Sequence, residues 1–270
     1  MAEQITFTLN EEQIHGEFGI TFSQIAKRIN PSADIYILNG FPVASDTVIA
    51  EGDSCWLLQR GYKPTLEEMR FFLYARHSPG VQKKIENANV GIMGLGGLGS
   101  AVAVALARIG IGKLLVADYD VVEPTNLNRQ QYFWDQIGLL KTKAISEVLA
   151  RVNPYTHVDA INERLTEQTI AQHFHQVDAL AECFDDSAMK AAALRCVLTS
   201  LPNMKYVTAS GVAGYGSSNT IRTTRIKEHI YMIGDGSSEA RPGVGLMAPR
   251  VGIAAHHQAN QILRMLLGKD

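Results

Sequence analysis

Between residues 94 and 99 the chain reads Gly-Leu-Gly-Gly-Leu-Gly, a turn set between a short apolar run, Val90 to Met93, and an Ala/Val-rich stretch, Leu98 to Ile109. Gly94, Gly96, Gly97 and Gly99 let a backbone approach phosphate closely, and the free N–H groups at a helix start attract anions. Asp118 closes the next apolar run, Lys113 to Ala117, where a carboxylate can accept from ribose hydroxyls. A dinucleotide dehydrogenase carries the same pair of features, so these residues alone describe a nucleotide crevice and no more.

Residues downstream of the ribose carboxylate separate the nucleotides. Asp118-Tyr119-Asp120 leads to Asn126-Leu127-Asn128-Arg129-Gln130-Gln131 and then to Lys141. The bridge of a dinucleotide carries about two charges and can rest largely on a helix N-terminus. A triphosphate carries nearly twice that charge and calls for Arg, Lys and a hard cation around it. Asp185 comes after the apolar run Val177 to Ala181, at a strand's carboxyl end, where open α/β sheets bind their ligands. With Asp120 it is the candidate holder of Mg2+. Taken singly, Arg129 and Lys141 also read as solvated surface charges, and Asp186 as the cap of a helix from Ser187 that leaves Asp185 a turn residue. Taken together and in this order they favour ATP.

The elements that must position these residues fall into three stretches. Residues 1–61 read as a β-grasp: Ile5, Phe7 and Leu9 alternate with polar residues, a second extended run spans Ile14 to Phe18, and Thr21 with Gln24 opens a helix by a capping-box pattern. Asn39-Gly40 is a hairpin-turn signal, and Cys55 to Leu58 a last apolar strand. Residues 62–88 form a connecting segment with a helix from Leu66 to Ala75, packed on one domain or the other. From residue 89 to 270 strands and helices alternate, which predicts an α/β, Rossmann-like, mostly parallel sheet with helices on both faces. Val251 to Leu267 reads as a closing amphipathic helix; His256 and His257 on it point about 100° apart, too far to face one ligand well.

Bulk properties narrow the classes. The chain has 270 residues, 46% hydrophobic and 19% charged, with a formal charge of −2. That is enough for a large domain and a small one, and it gives no basic field for nucleic acid. No apolar run approaches a membrane span, and the N-terminus lacks the pattern of a secretory signal. The three cysteines, Cys55, Cys183 and Cys196, are odd in number and far apart, which fits the cytoplasm.

The glycine turn with Ser100, the Asp118-Tyr119-Asp120-Val121-Val122 segment with Asn126-Leu127-Asn128-Arg129-Gln130, Gly138 to Lys141, Cys183 to Asp186, and Gly245 to Pro249 resemble the ThiF and MoeB branch of the ubiquitin-activating-enzyme superfamily, its short ThiF subfamily above all. The resemblance runs over residues 80–268, and residues 1–61 resemble ThiS, a ubiquitin-like sulfur carrier. It implies ATP-dependent adenylylation of the C-terminal carboxylate of a ThiS-like carrier, as in thiamine biosynthesis. It assigns Gly97 and its neighbours to the phosphates, Asp118 to ribose, Asn126, Arg129 and Lys141 to the triphosphate, and Asp185 to the metal. It further implies a homodimer that supplies an arginine in trans, with Arg76 the nearest candidate and Arg70 the second.

The sequence departs from that pattern in three ways. It has no Cys-x-x-Cys pair, so zinc is not expected. It has no cysteine between Gly211 and Arg250, so sulfur is expected from a separate donor. Its ThiS-like part runs from Arg60-Gly61 into Tyr62 instead of ending in a free Gly-Gly, which points to a structural or regulatory role. Other carriers, a small-molecule acid, an NAD-linked oxidoreductase and a non-catalytic carrier-binding scaffold remain as alternatives.

Overall fold

The computed structural model describes residues 4–269, the Arg70 side chain excepted. The chain divides into two compact units, one up to Lys83 and one from Lys84 onward.

In the first unit β1 (Gln4–Leu9) and β2 (Glu12–Glu17) pair antiparallel, α1 (Phe22–Ile29) comes next, and then β3 (Ile35–Leu38), β4 (Phe41–Val43) and β5 (Ser54–Leu58). The sheet order is β2-β1-β5-β3-β4, with β1 and β5 parallel at its centre. Thr21 N–H donates to Gln24 Oε1 at 2.9 Å, closing part of the cap that starts α1. Phe22, Ile25 and Ala26 of that helix pack on Phe7, Leu9, Cys55 and Leu57. The opposite sheet face is apolar as well: Ile37 and Trp56 are buried there with Ala75, and Phe72 of α2 (Leu66–Phe72) packs against them. The connecting segment therefore packs on this small sheet through Phe72 and Ala75, while its residues from Lys84 onward belong to the second unit. It also reaches the Asn39-Gly40 turn, where a Cβ on Gly40 would stand 2.5 Å from the His77 carbonyl oxygen.

A short helix, α3 (Val81–Ile85), spans the change of unit, and β6 (Asn89–Met93) begins the second sheet. After it come α4 (Gly97–Arg108), β7 (Lys113–Asp118), α5 (Lys141–Val152), β8 (His157–Asn162), α6 (Glu167–Phe174), β9 (Ala179–Glu182), α7 (Ser187–Ser200), β10 (Lys205–Ala209), β11 (Arg222–Lys227), β12 (Ile230–Gly234) and α8 (Ala248–Leu266). The order is β11-β12-β10-β9-β6-β7-β8, parallel throughout except for the β11–β12 pair. Ile170 and Phe174 of α6 and Ala193, Cys196 and Val197 of α7 join Leu180 and Tyr206 in the core of one face, while α4, α5 and α8 pack together on the sheet. This is the expected α/β class: a mostly parallel sheet with helices on both faces. Strand order reverses between β6 and β9, the switch point where such sheets open a crevice at their carboxyl ends. Among the described residues no helix is long and apolar enough to cross a membrane.

Candidate nucleotide site

The crevice begins where β6 hands over to α4. Gly94 holds φ +87°, a left-handed value that favours glycine, and Gly99 packs so close that an added Cβ would lie 1.8 Å from the Gly94 carbonyl oxygen. Both glycines are therefore structural, and they bring the start of α4 down onto the end of β6. Asp118, last residue of β7, accepts from the backbone N–H of Leu95 at 2.6 Å and of Asp120 at 2.8 Å. The carboxylate expected to face ribose thus also ties the glycine turn to the neighbouring strand.

Residues 119–141 fold back over that turn. Val121 bridges to Leu140, and Lys141 N–H donates to the Asp120 carbonyl at 2.9 Å. The same register puts Lys141 Nζ 2.8 Å from Asp120 Oδ2; the lysine side chain is 8% exposed and the aspartate 47%. An ammonium so enclosed needs a counter-charge, and Asp120 supplies it. One oxygen of the carboxylate read as a second metal holder is therefore engaged by protein.

Asn126 is buried in a one-turn helix, Pro124–Asn126, where its Oδ1 accepts from Glu123 N–H at 3.0 Å. Arg129 lays its stem over the turn: a Cβ on Gly97 would stand 3.4 Å from its Cγ. Its Nη1 donates to the Thr125 carbonyl at 3.2 Å and to Asn128 Oδ1 at 2.8 Å; the rest of the guanidinium fork has no protein acceptor among the described residues. Gln130, 7% exposed, places its amide over Gly96, and its Oε1 is buried with no donor. A buried polar atom left without a partner is uncommon in folded proteins and calls for a ligand group or water.

The strand next to β6 brings the other acids. Phe184 Cδ1 would lie 3.4 Å from a Cβ on Gly94, so the β9–α7 turn borders the glycine turn. Asp186 caps α7, accepting from Met189 N–H at 2.7 Å. Asp185, beside it, is exposed and makes no hydrogen bond or ion pair among the described residues. Glu182 is wholly buried and fully engaged, by Lys190 Nζ at 3.0 Å, Phe184 N–H at 2.6 Å and the Thr208 hydroxyl. Gln258 of α8 donates to the Glu182 and Val207 carbonyls, holding the strand ends together. No alternation or motif in the sequence marks this network, because its members come from four separate elements.

The structure thus gathers Gly94, Gly96, Gly97, Gly99, Asp118, Asp120, Arg129, Gln130 and Lys141 around one turn, with Asp185 on the bordering loop. Arg76 belongs to the first unit, and the Arg70 side chain lies outside the described residues. His256 and His257 part as expected, the first bonding Gly252 O at 2.8 Å and the second Thr223 Oγ1 at 3.2 Å. All three cysteines are free and buried. Burial, with Glu182 adding, pushes the Cys183 thiol well above its ordinary range; burial, with Asp53 adding, pushes Cys55 up to about 12.

Two family models match the chain: one described as ThiF family over residues 69–270, and one described as ThiS-like ubiquitin over residues 5–61. The chain is 31% identical over 193 residues to the sulfur carrier protein ThiS adenylyltransferase of Escherichia coli, covering 69% of this chain and 75% of that protein. It is 28% identical over 194 residues to the molybdopterin-synthase adenylyltransferase of the same organism, covering 69% and 76%. Among solved structures, the E. coli tRNA N6-threonylcarbamoyladenosine dehydratase TcdA in complex with ATP superposes with a TM-score of 0.67 at 22% identity, over 73% of this chain and 93% of that one. At that identity the likeness speaks to the fold.

Proposed function

The chain belongs to the ThiF family of adenylyltransferases, and from that premise we propose that it uses ATP to adenylylate the C-terminal carboxylate of a ThiS-like sulfur-carrier protein. The observation that carries this is the glycine turn bordered by Arg129 and Gln130, with the rest of the guanidinium fork and the buried amide oxygen left without protein partners among the described residues. The orphaned Gln130 acceptor suits a hydroxyl-bearing ligand such as a ribose, and the unanswered Arg129 donors suit a phosphate.

The reaction needs no general base. A peptide α-carboxyl has a pKa of about 3.5 and is already an anion at neutral pH. One of its oxygens attacks the α-phosphorus, the bond to the bridging oxygen breaks, and pyrophosphate leaves. The obstacle is bringing one anion to another, so catalysis rests on positioning and charge neutralisation. Arg129 supplies fixed positive charge, Lys141 would add its own on turning from Asp120 to the phosphates, Asn126 a further amide beside the triphosphate, and Asp118 takes the ribose with the lone pairs its backbone bonds leave free. For Mg2+ the residues present fit: Asp185 is exposed and unpartnered among the described residues, and one carboxylate together with phosphate oxygens is a common magnesium set. Bound there, the ion would neutralise phosphate charge.

Sulfur comes from a separate donor, a role supported by the burial of Cys183 and Cys196. A homodimer with Arg76 acting in trans is supported by the exposed Trp134 and Ile137 on the segment beside the site, large apolar side chains of the kind that partners cover. The ThiS-like unit is a structural or regulatory attachment, since its chain continues past Gly61.

Carrier-dependent ATP–pyrophosphate exchange tests the proposal. Exchange with a ThiS-like carrier ending in Gly-Gly is the expected result, and Arg129→Ala is expected to lower it by about two to three orders of magnitude. Exchange only with a molybdopterin-type carrier would change the substrate, and exchange only with a small acid would remove carriers altogether. ATP binding with no exchange against any of them would make the protein a scaffold.

A further inference from the structure

The glycine turn is held from behind by groups that no motif marks. Tyr132, 6% exposed, donates its hydroxyl to the Leu95 carbonyl at 2.8 Å across 37 positions of sequence. The Ser100 hydroxyl donates to the Gly96 carbonyl at 2.7 Å and itself accepts from Gln131 N–H at 3.1 Å. A trans peptide unit is planar, with C=O and N–H pointing in opposite directions. Holding the Leu95 carbonyl down therefore turns the Gly96 N–H up, and holding the Gly96 carbonyl does the same for the Gly97 N–H. Among the described residues neither N–H has an acceptor. Gly96 and Gly97 are the two glycines that the Gln130 amide and the Arg129 stem border.

We propose that Tyr132 is a positioning residue for the triphosphate: its hydroxyl fixes the Leu95–Gly96 peptide so that the Gly96 and Gly97 N–H groups stand ready to donate before ATP arrives. This rests on the ATP reading of the site. Burial, helped by the nearby Asp118 and Asp120, pushes the phenol above its ordinary range, so the hydroxyl stays a donor at any working pH. Without that hydroxyl the Leu95 carbonyl loses the bond, the peptide is free to rotate, and binding must first order it, a cost that pre-organisation avoids. The effect falls on phosphate contacts and leaves the adenosine contacts as they are.

The test compares the full-length chain with Tyr132→Phe by calorimetric titration of ATP and of adenosine, and by pyrophosphate exchange. Tyr132→Phe is expected to weaken ATP about five-fold, within the range one hydrogen bond supplies, to leave adenosine affinity within about two-fold, and to raise KM for ATP with kcat nearly unchanged, because ground state and transition state lose the same contacts. Ser100→Ala is expected to show the same pattern more weakly, since the Ser100 backbone N–H still donates to the Gly96 carbonyl at 3.0 Å. A purely structural tyrosine would lower the melting temperature and kcat, or weaken ATP and adenosine together; either outcome overturns the role, as does ATP bound equally by both chains. A wild-type chain that binds no ATP would instead overturn the nucleotide reading of the site, and this role with it.

Discussion

The ends of β7 and β9 solve the same problem with one device and then diverge. Each strand ends on a carboxylate that accepts from the backbone N–H two residues on: Asp118 from Asp120 at 2.8 Å, Glu182 from Phe184 at 2.6 Å. Each such bond folds the chain sharply as it leaves the sheet and sets a second acid just beyond. At β7 that second acid, Asp120, is neutralised by Lys141; at β9 it is Asp185, which no protein group among the described residues answers. On the proposed ATP reading, a cation beside phosphates is drawn to the carboxylate whose charge is less balanced, which would be Asp185, with Asp120 the partner of a lysine.

Asp185→Asn tests the β9 carboxylate directly. It removes a charge that holds nothing in the protein, so the fold and melting temperature are expected to stay put. Carrier-dependent exchange is expected to fall by about two to three orders of magnitude, the cost typical of losing an electrostatic group at a reacting centre. Exchange at the wild-type rate, measured over a magnesium titration, would take Asp185 out of the site.

Glu182→Gln addresses the other half of the β9 device. Glu182 is fully buried while the Lys190 side chain keeps 25% of its exposure. Removing one partner of a buried pair costs about 3–5 kcal/mol, and the lower end applies here because water can still reach the lysine. Chemical denaturation should register the loss. A stability within about 0.5 kcal/mol of wild type would mean that Thr208, Lys190 and the Phe184 N–H hold the turn without the negative charge.

How far these features could be read from the chain depends on how local they are. The glycine turn, Asp118, Arg129 and Lys141 were legible because each lies in a short motif whose spacing survives folding. The Asp120–Lys141 pair was not, since it exists only because Val121 and Leu140 come into register, and two charges 21 positions apart carry no sign of it. Tyr132 and Leu95 are hidden for the same reason. In the small unit the docking of α2 left a trace: Cys55, Trp56 and Leu57 are all buried, although they face alternate sides of a strand. A continuous apolar run means a strand covered on both faces, and α1 covers only one of them. The turn at Asn10-Glu11 left none, because both residues hold positive φ, 50° and 72°, and nothing about Glu11 advertises a backbone angle that side chains usually avoid.

Asp120 offers the gentler perturbation, on the β7 side. Asp120→Asn leaves Lys141 enclosed without its counter-ion, so the free protein loses stability while the lysine gains freedom to answer a phosphate. Two outcomes separate the assignments. If Asp120 serves only Lys141, exchange should change by less than about ten-fold, and the magnesium concentration giving half-maximal exchange should match that of the wild type. If Asp120 also held the metal, that midpoint would move to higher magnesium and exchange would fall as far as in Asp185→Asn. Lys141 favours the first outcome in physical terms: its ammonium stands 2.8 Å from Asp120 Oδ2 and repels a divalent cation that approaches that oxygen, so a cation drawn there would have to displace it first.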